Sequence, residues 1–221
     1  MTPSRSKNSP TPASEAGVTL FRGARVLRLS PGARPRRGAH AGELHAQDDT
    51  DVLVAGETIM SVGPNLSVAA DVPVIEAEGR VLMPGFVDCH THTCWAGDRL
   101  DEWSMRLAGT EYLDILKAGG GIMSTVRAVR ACSEEGLIAQ LRRRLSIMLR
   151  LGTTTVEVKS GYGLSLEAEL KMLRAIARAQ APGMIPERRR VESTTQGAPM
   201  PRVVATALLG HAIDPDIPKF V

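Results

Sequence analysis

Aromatic side chains are scarce: three Phe, two Tyr and two Trp among 221 residues, so a core must rest on Leu, Val, Ile, Ala and Met. Cysteine is equally sparse. The three residues at 89, 94 and 132 make an odd count with no Cys-x-x-Cys spacing. They read as small buried thiols in a reducing compartment, with soft metal ligation by Cys89 and Cys94 as the alternative. No apolar run approaches the length of a membrane-spanning helix. Residues 1–16, rich in Ser, Pro, Thr and Lys, lack the apolar core of a secretory signal and read as a disordered tail. A cytoplasmic protein without a membrane partner is the expectation. Charge of one sign does not dominate either: the net charge is +3, and the arginines fall in short runs such as Arg142–Arg144 and Arg188–Arg190. No basic helix interleaved with aromatics occurs, which argues against a nucleic-acid partner.

What is present is enough apolar sequence, 43% of residues, to bury a core in one or two domains. Val18–Phe21 and Ala24–Leu27 read as strand. Residues 31–49 are rich in Pro, Gly, Arg and His and read as a loop that carries His40 and His45 in solvent. Asp51–Gly63 and Val72–Glu76 complete a set of short strands with Gly turns, predicting a small all-β unit over 17–80.

Beyond residue 80 the rhythm changes. An apolar strand running to His92 is followed by a long loop with Arg99, Arg106, Tyr112 and Gly119–Gly121. Ser124–Ala131 reads as helix. Ser133 with Glu134 and Glu135 marks a helix start, and Leu137, Ile138, Leu141, Leu145, Met148 and Leu149 recur at helical spacing to Gly152. Thr153–Lys159 is a β-branched strand, Ser160–Gly163 a turn, Ser165–Ala179 a helix, 182–201 a loop, and Arg202–Gly210 a third strand ending at His211. The order β-α-β-α-β, with helices long enough for crossovers, predicts a parallel sheet.

The chemistry concentrates at the ends of these strands. Side chains alternate along a strand, so Asp88, His90 and His92 are expected on one face, with Cys89 and Thr91 on the other. Two imidazoles so placed can approach one divalent metal, and a catalytic zinc keeps an open position for water. His90/His92, Lys159–Tyr162 and His211 each follow a strand. Strand ends of a parallel sheet open on one mouth, so the three clusters are expected to meet in one pocket. Gly119–Gly121 lacks the preceding strand and the Gly-Lys-Ser/Thr ending of a phosphate loop.

Several stretches together resemble the imidazolonepropionases, metal-dependent amidohydrolases of histidine degradation. They are Pro84-Gly-Phe-Val-Asp-Cys-His-Thr-His92, Ala96-Gly-Asp-Arg99, Arg106-Leu-Ala-Gly-Thr-Glu-Tyr112, Ala118–Arg127, Gly152–Leu164 and Glu169–Leu173. Their combination is more specific than the His-x-His alone, which amidohydrolases share. The resemblance covers about residues 17–180 well and 203–216 loosely. It implies an α/β fold: a TIM-like (β/α)₈ amidohydrolase barrel, here partial over 81–221, preceded by part of a small β-sandwich over 17–80. It further implies His90 and His92 as ligands of one zinc or iron ion, and Arg99, Tyr162, Tyr112 and His211 as substrate contacts. The implied reaction is hydrolysis of 4-imidazolone-5-propanoate to N-formimidoyl-L-glutamate, and the implied assembly a homodimer. Lys159, which some amidohydrolases carbamylate to bridge two metals, is read as structural or electrostatic because the resembled family uses one metal.

The pattern also breaks. The family runs to roughly twice this length, and a complete barrel typically needs about 250 residues. The family's later histidine and aspartate ligands and its glutamate proton shuttle have no counterpart here, so the catalytic acid–base is expected beyond Val221. Residues 186–200 have no family match, and Gly210-His211 lacks one residue of the family's spacing, which would reverse a side chain's facing on a strand. The alternatives to an active enzyme half are a truncated non-catalytic remnant and an amidohydrolase for another ring.

Overall fold

The computed structural model describes residues 17–28, 37–180 and 199–214. The tail, the Arg188–Arg190 run and most of the 182–201 loop lie outside them. The chain divides into two compact units between Pro84 and Gly85.

The first unit is built mainly of strands. The strands are β1 (Val18–Leu27), β2 (Ala46–Ala55), β3 (Thr58–Gly63), β4 (Val74–Glu76) and β5 (Val81–Leu82). They form one sheet in the order β3-β2-β1-β4, with β5 also on β1. The two short β1 runs expected from sequence are one strand, irregular around Gly23, which takes a positive φ of 66°. The buried Asp51 carboxylate accepts from Gly23 N at 2.9 Å and from Leu66 N at 2.9 Å, so one acid holds both the irregularity and a turn. The expected 31–49 loop is shorter than read: β2 begins at Ala46, and a short 3₁₀ turn spans Gly38–Gly42. The first four residues of β2 are all exposed, so no alternation of apolar positions reveals its start.

The second unit holds β6 (Phe86–Asp88), α1 (Leu100–Leu107), α2 (Tyr112–Lys117), α3 (Ile122–Ala131), α4 (Glu134–Arg150), β7 (Thr153–Lys159), α5 (Leu166–Ala179) and β8 (Arg202–Thr206). The parallel sheet runs β6-β7-β8, with Asp88 beside Val156 and Lys159 beside Thr206. Parallel strands joined through helices make this the α/β arrangement of part of a (β/α)₈ barrel. Ser133 and Ser165 cap α4 and α5, their hydroxyls accepting from Gly136 N and Ala168 N. Val156 and Val158 on one face of β7 pack with Leu137, Leu141 and Leu145 of α4 and Met172 and Ile176 of α5, all fully buried. Thr155, Glu157 and Lys159 alternate onto the opposite face.

Three readings need correction here. β6 ends at Asp88, and His90 and His92 lie in a segment without regular structure, because the carbonyl of Thr91 rather than a full ladder meets β7 (Lys159 N to Thr91 O, 3.0 Å). The long loop contains two helices, α1 and α2, too short for helical spacing to stand out. The third strand stops at Thr206, four residues early, where Leu208 N turns to donate to Ser160 Oγ at 3.1 Å. Cys94 is buried as read, but Cys89 is exposed.

Leu141 is fully buried among the helix–sheet contacts. Leu141→Ala is expected to cost about 2–5 kcal/mol of stability in urea unfolding followed by circular dichroism. A loss under about 1 kcal/mol would mean that α4 does not seat this sheet.

Candidate active site

At the C-terminal ends of the parallel strands four rings gather. His92 stacks on His211 with centroids 4.5 Å apart and planes 18° from parallel. Tyr162 lies 5.2 Å from His92 and 5.3 Å from His211. His90 meets His92 edge-on at 6.1 Å. The β6, β7 and β8 ends thus each contribute, as their order requires.

Hydrogen bonds fix the His211 ring and the segment between His90 and His92. His211 Nδ1 sits 2.9 Å from Gly161 O, and since a carbonyl only accepts, Nδ1 is the protonated nitrogen. Thr91, between the two histidines, donates its N–H to Glu157 Oε2 at 3.1 Å and its hydroxyl to Glu157 O at 2.6 Å. His92 is the electrostatically unusual ring. Burial, then the neighbouring His211, His90 and Lys159, lower its pKa below the ordinary histidine value, with Glu157 opposing. Its Nδ1 is buried without a hydrogen-bond partner among the described residues.

A cavity of about 270 Å³ opens beside the rings, lined by His92, Trp95, Asp98, Arg99, Thr125 and Tyr162. Arg99 donates from Nε and Nη2 to one Glu102 oxygen at 2.9 and 2.6 Å. The other Glu102 oxygen accepts from Gly121 N at 3.1 Å. Arg99 is therefore oriented by a carboxylate of its own chain, which raises its pKa, and that hydrogen bond is the leading cause. Burial raises the Tyr162 phenol above its usual value, and Arg99 opposes this. Tyr112 does not line the cavity. It is half exposed on α2, and its hydroxyl approaches Gly121, where an added Cβ would come within 3.8 Å of it. Of the sequence-singled residues, His90, His92, Tyr162 and His211 meet. Arg99 joins His92 and Tyr162 at the cavity, and Tyr112 stands outside its lining.

Sequence reading missed the groups that hold these loops. Arg144 of α4 lies 3.5 Å over the Trp95 ring and donates to Thr93 O at 3.1 Å and Trp95 O at 2.7 Å. Glu157 pairs with Lys159, both largely buried. Its carboxyl stays below the usual range although burial pushes it up, because Lys159, Thr206 and Thr91 N bond to it. The alternation of β7, which puts Glu157 and Lys159 on one face, was the available signal.

Two imidazoles fit part of a metal's ligand set, and an imidazole nitrogen held from water without a partner suits a ligand. No group of three metal-binding side chains occurs among the described residues, so a complete set is not assembled there.

No family model matches the chain. Among curated proteins it is similar to the imidazolonepropionases of Deinococcus radiodurans, 47% identical over 163 residues, and Rubrobacter xylanophilus, 47% over 171. Each alignment takes in 74% of this chain and 41% of the relative. A probable imidazolonepropionase of Xenopus tropicalis is 54% identical over 127 residues, 55% of this chain and 29% of that protein. The chain thus spans about two fifths of the length of the first two relatives. Among solved structures it is similar to a prolidase complexed with N-methylphosphonate-L-proline, with a TM-score of 0.50 and 17% identity over 86% of this chain and 32% of that one, a likeness of fold. Among the described residues no helix is long and apolar enough to cross a membrane.

The Arg99–Glu102 pair carries a pH signature. The Arg99 hydrogen bond holds the Glu102 carboxyl below its ordinary value, with burial opposing. A depressed folded pKa stabilises above the unfolded value, about 4.3, and that stabilisation is lost as pH falls through the folded value. The stability difference between wild type and Glu102→Gln is expected to be constant from about pH 6 to 8 and to shrink below about pH 4.3. A difference that stays level to about pH 3 would show that the pair is not formed in solution.

Proposed function

We propose, for a chain that over about three quarters of its length is similar to the imidazolonepropionases, that it supplies the metal-binding histidine pair and the substrate-gripping part of a hydrolase for 4-imidazolone-5-propanoate. The product is N-formimidoyl-L-glutamate, formed by water attack on a cyclic amide C–N bond. The observation that carries this reading is the meeting of His92, His211 and Tyr162 beside a cavity that ends on Arg99. The cavity is of a size for one small ring with a short acid arm.

In this reading His90 and His92 hold one zinc or iron ion together with ligands from outside the described residues, and the ion, when bound, lowers the pKa of a water so that hydroxide is available near neutral pH. Arg99 grips the propionate, because a guanidinium pairs a carboxylate with charge-assisted hydrogen bonds and Glu102 already fixes its orientation. Tyr162 presents its hydroxyl to the planar polar ring, while Tyr112, outside the cavity lining, is given no substrate contact. His211 has Nδ1 committed to Gly161, so Nε2 is the nitrogen that meets the substrate's carbonyl. No acid–base group is assigned among the described residues. The first unit is the N-terminal part of a composite β-sandwich and the second the start of the barrel. A cytoplasmic homodimer with no nucleic-acid or membrane partner completes the proposal.

Arg99→Ala is expected to weaken binding of an imidazole-ring propanoate about tenfold or more in titration calorimetry, as for a lost charged hydrogen bond of about 1.5–3 kcal/mol, while the neutral ring without its acid arm binds as before. Equal binding of the acid by wild type and variant would sink the propionate assignment.

The second reading, a non-catalytic remnant, is favoured by one observation: the histidine pair has no third donor among the described residues. Metal analysis of the chain after dialysis separates the two. A stoichiometric, chelator-resistant metal contradicts the remnant. A metal lost on dialysis is the result expected of two imidazoles alone.

A further inference from the structure

Glu169 lies on the buried face of α5, three residues before Met172 and seven before Ile176, and is 2% exposed. An acid is rarely placed there without partners. Its partners are backbone N–H groups: Gly161 N at 2.7 Å on Oε2, and Gly163 N at 2.7 Å and Leu164 N at 2.9 Å on Oε1. The three donors bracket Tyr162. Gly161 and Leu164 take positive φ values of 107° and 52°. A Cβ on Gly163 would fall 2.5 Å from Glu169 N and 2.9 Å from Oε1, so loop and carboxylate are in close contact. The opposite side of the loop is held too: Arg130 Nε donates to Gly163 O at 2.8 Å, and Gly161 O takes the His211 Nδ1 proton.

We propose that Glu169 is the positioning residue of the site: its carboxylate gathers three loop amides so that the Tyr162 ring is presented to His92 and His211, and so to the substrate ring. Only an acceptor-only group suits three converging N–H donors, since an amide at the same place would turn a donor toward one of them. Glu169 is not among the residues that line the cavity, and it acts through the Gly161–Leu164 backbone. This inference rests on the proposed function for the substrate it serves, but the geometry it explains does not depend on that substrate.

The chain has two tyrosines, so in a Tyr112→Phe background Tyr162 is the single tyrosine and its ring signals are directly readable by NMR. Glu169→Gln in that background is expected to move the Tyr162 ring signals toward those of an unstacked tyrosine, while the amides of α4 keep their slow exchange. Affinity for an imidazole-ring propanoate should fall about tenfold with Arg99 intact. Unmoved Tyr162 signals, with or without faster exchange at Gly161–Leu164, would overturn the proposal. If Glu169→Gln does not fold cooperatively, Glu169→Asp, an acceptor one methylene shorter, is read the same way: shifted ring signals support the role and unshifted ones overturn it. A wild-type chain that fails to bind the propanoate removes the proposed function, and the ring signals still decide the role of Glu169.

Discussion

Parallel pairing of β7 with both β6 and β8 is the constraint on which the site depends. Parallel strands point the same way, so whatever follows each one emerges at the same edge. The registers that set Asp88 beside Val156 and Lys159 beside Thr206 bring three distant segments to that edge. Parallel sheets are covered on both faces. One face of β7 is closed by α4 and α5 through Val156 and Val158, and the other presents Glu157 and Lys159. The ionic face lies toward the histidines, where Thr91 and Thr206 bond to Glu157.

A second regularity is that several buried or half-buried charged groups among the described residues bond to backbone. Asp51 holds two amides in the first unit. In the second, Glu169 holds three amides, Arg144 two carbonyls, and Lys171 donates to the carbonyls of Val129, Arg130 and Cys132 at 2.8–2.9 Å. The last closes the C-terminus of α3, where unmatched carbonyls attract a cation. Loops have few apolar contacts of their own, so one charged side chain from a seated helix can fix several of their dipoles.

The long elements were legible because their apolar positions repeat: α4 and α5 with their serine caps, and β7 with its β-branched run, lie where periodicity puts them. Elements that bury little were not. α1 buries no residue and α2 only Ile115, so neither carries a strong stripe. β6 and β8 end early because side chains and turns, which leave no periodic trace, take over their hydrogen bonds. At the site, the histidines and Tyr162 were found by strand ends and family resemblance. Glu169 fell inside a segment read as helix and inside a stretch matched by the resemblance, and neither reading singled out its carboxylate. Its place in the apolar stripe with Met172 and Ile176 was the sign.

The Tyr162 loop and the helix that holds it are close in sequence. Glu169 reaches amides five to eight residues away. The bonds that bring in the other strands span far more chain: Thr91 to Glu157 is 66 residues, and Arg130 to Asp214 is 84. Closing a long loop costs more entropy than closing a short one, and distant pairings form late. The tyrosine side of the pocket is thus expected to mature with α5 as a local folding unit, ahead of the histidines, which wait for the crossovers. During synthesis or refolding, the Tyr162 side of the pocket would stand ready before the His90–His92 side.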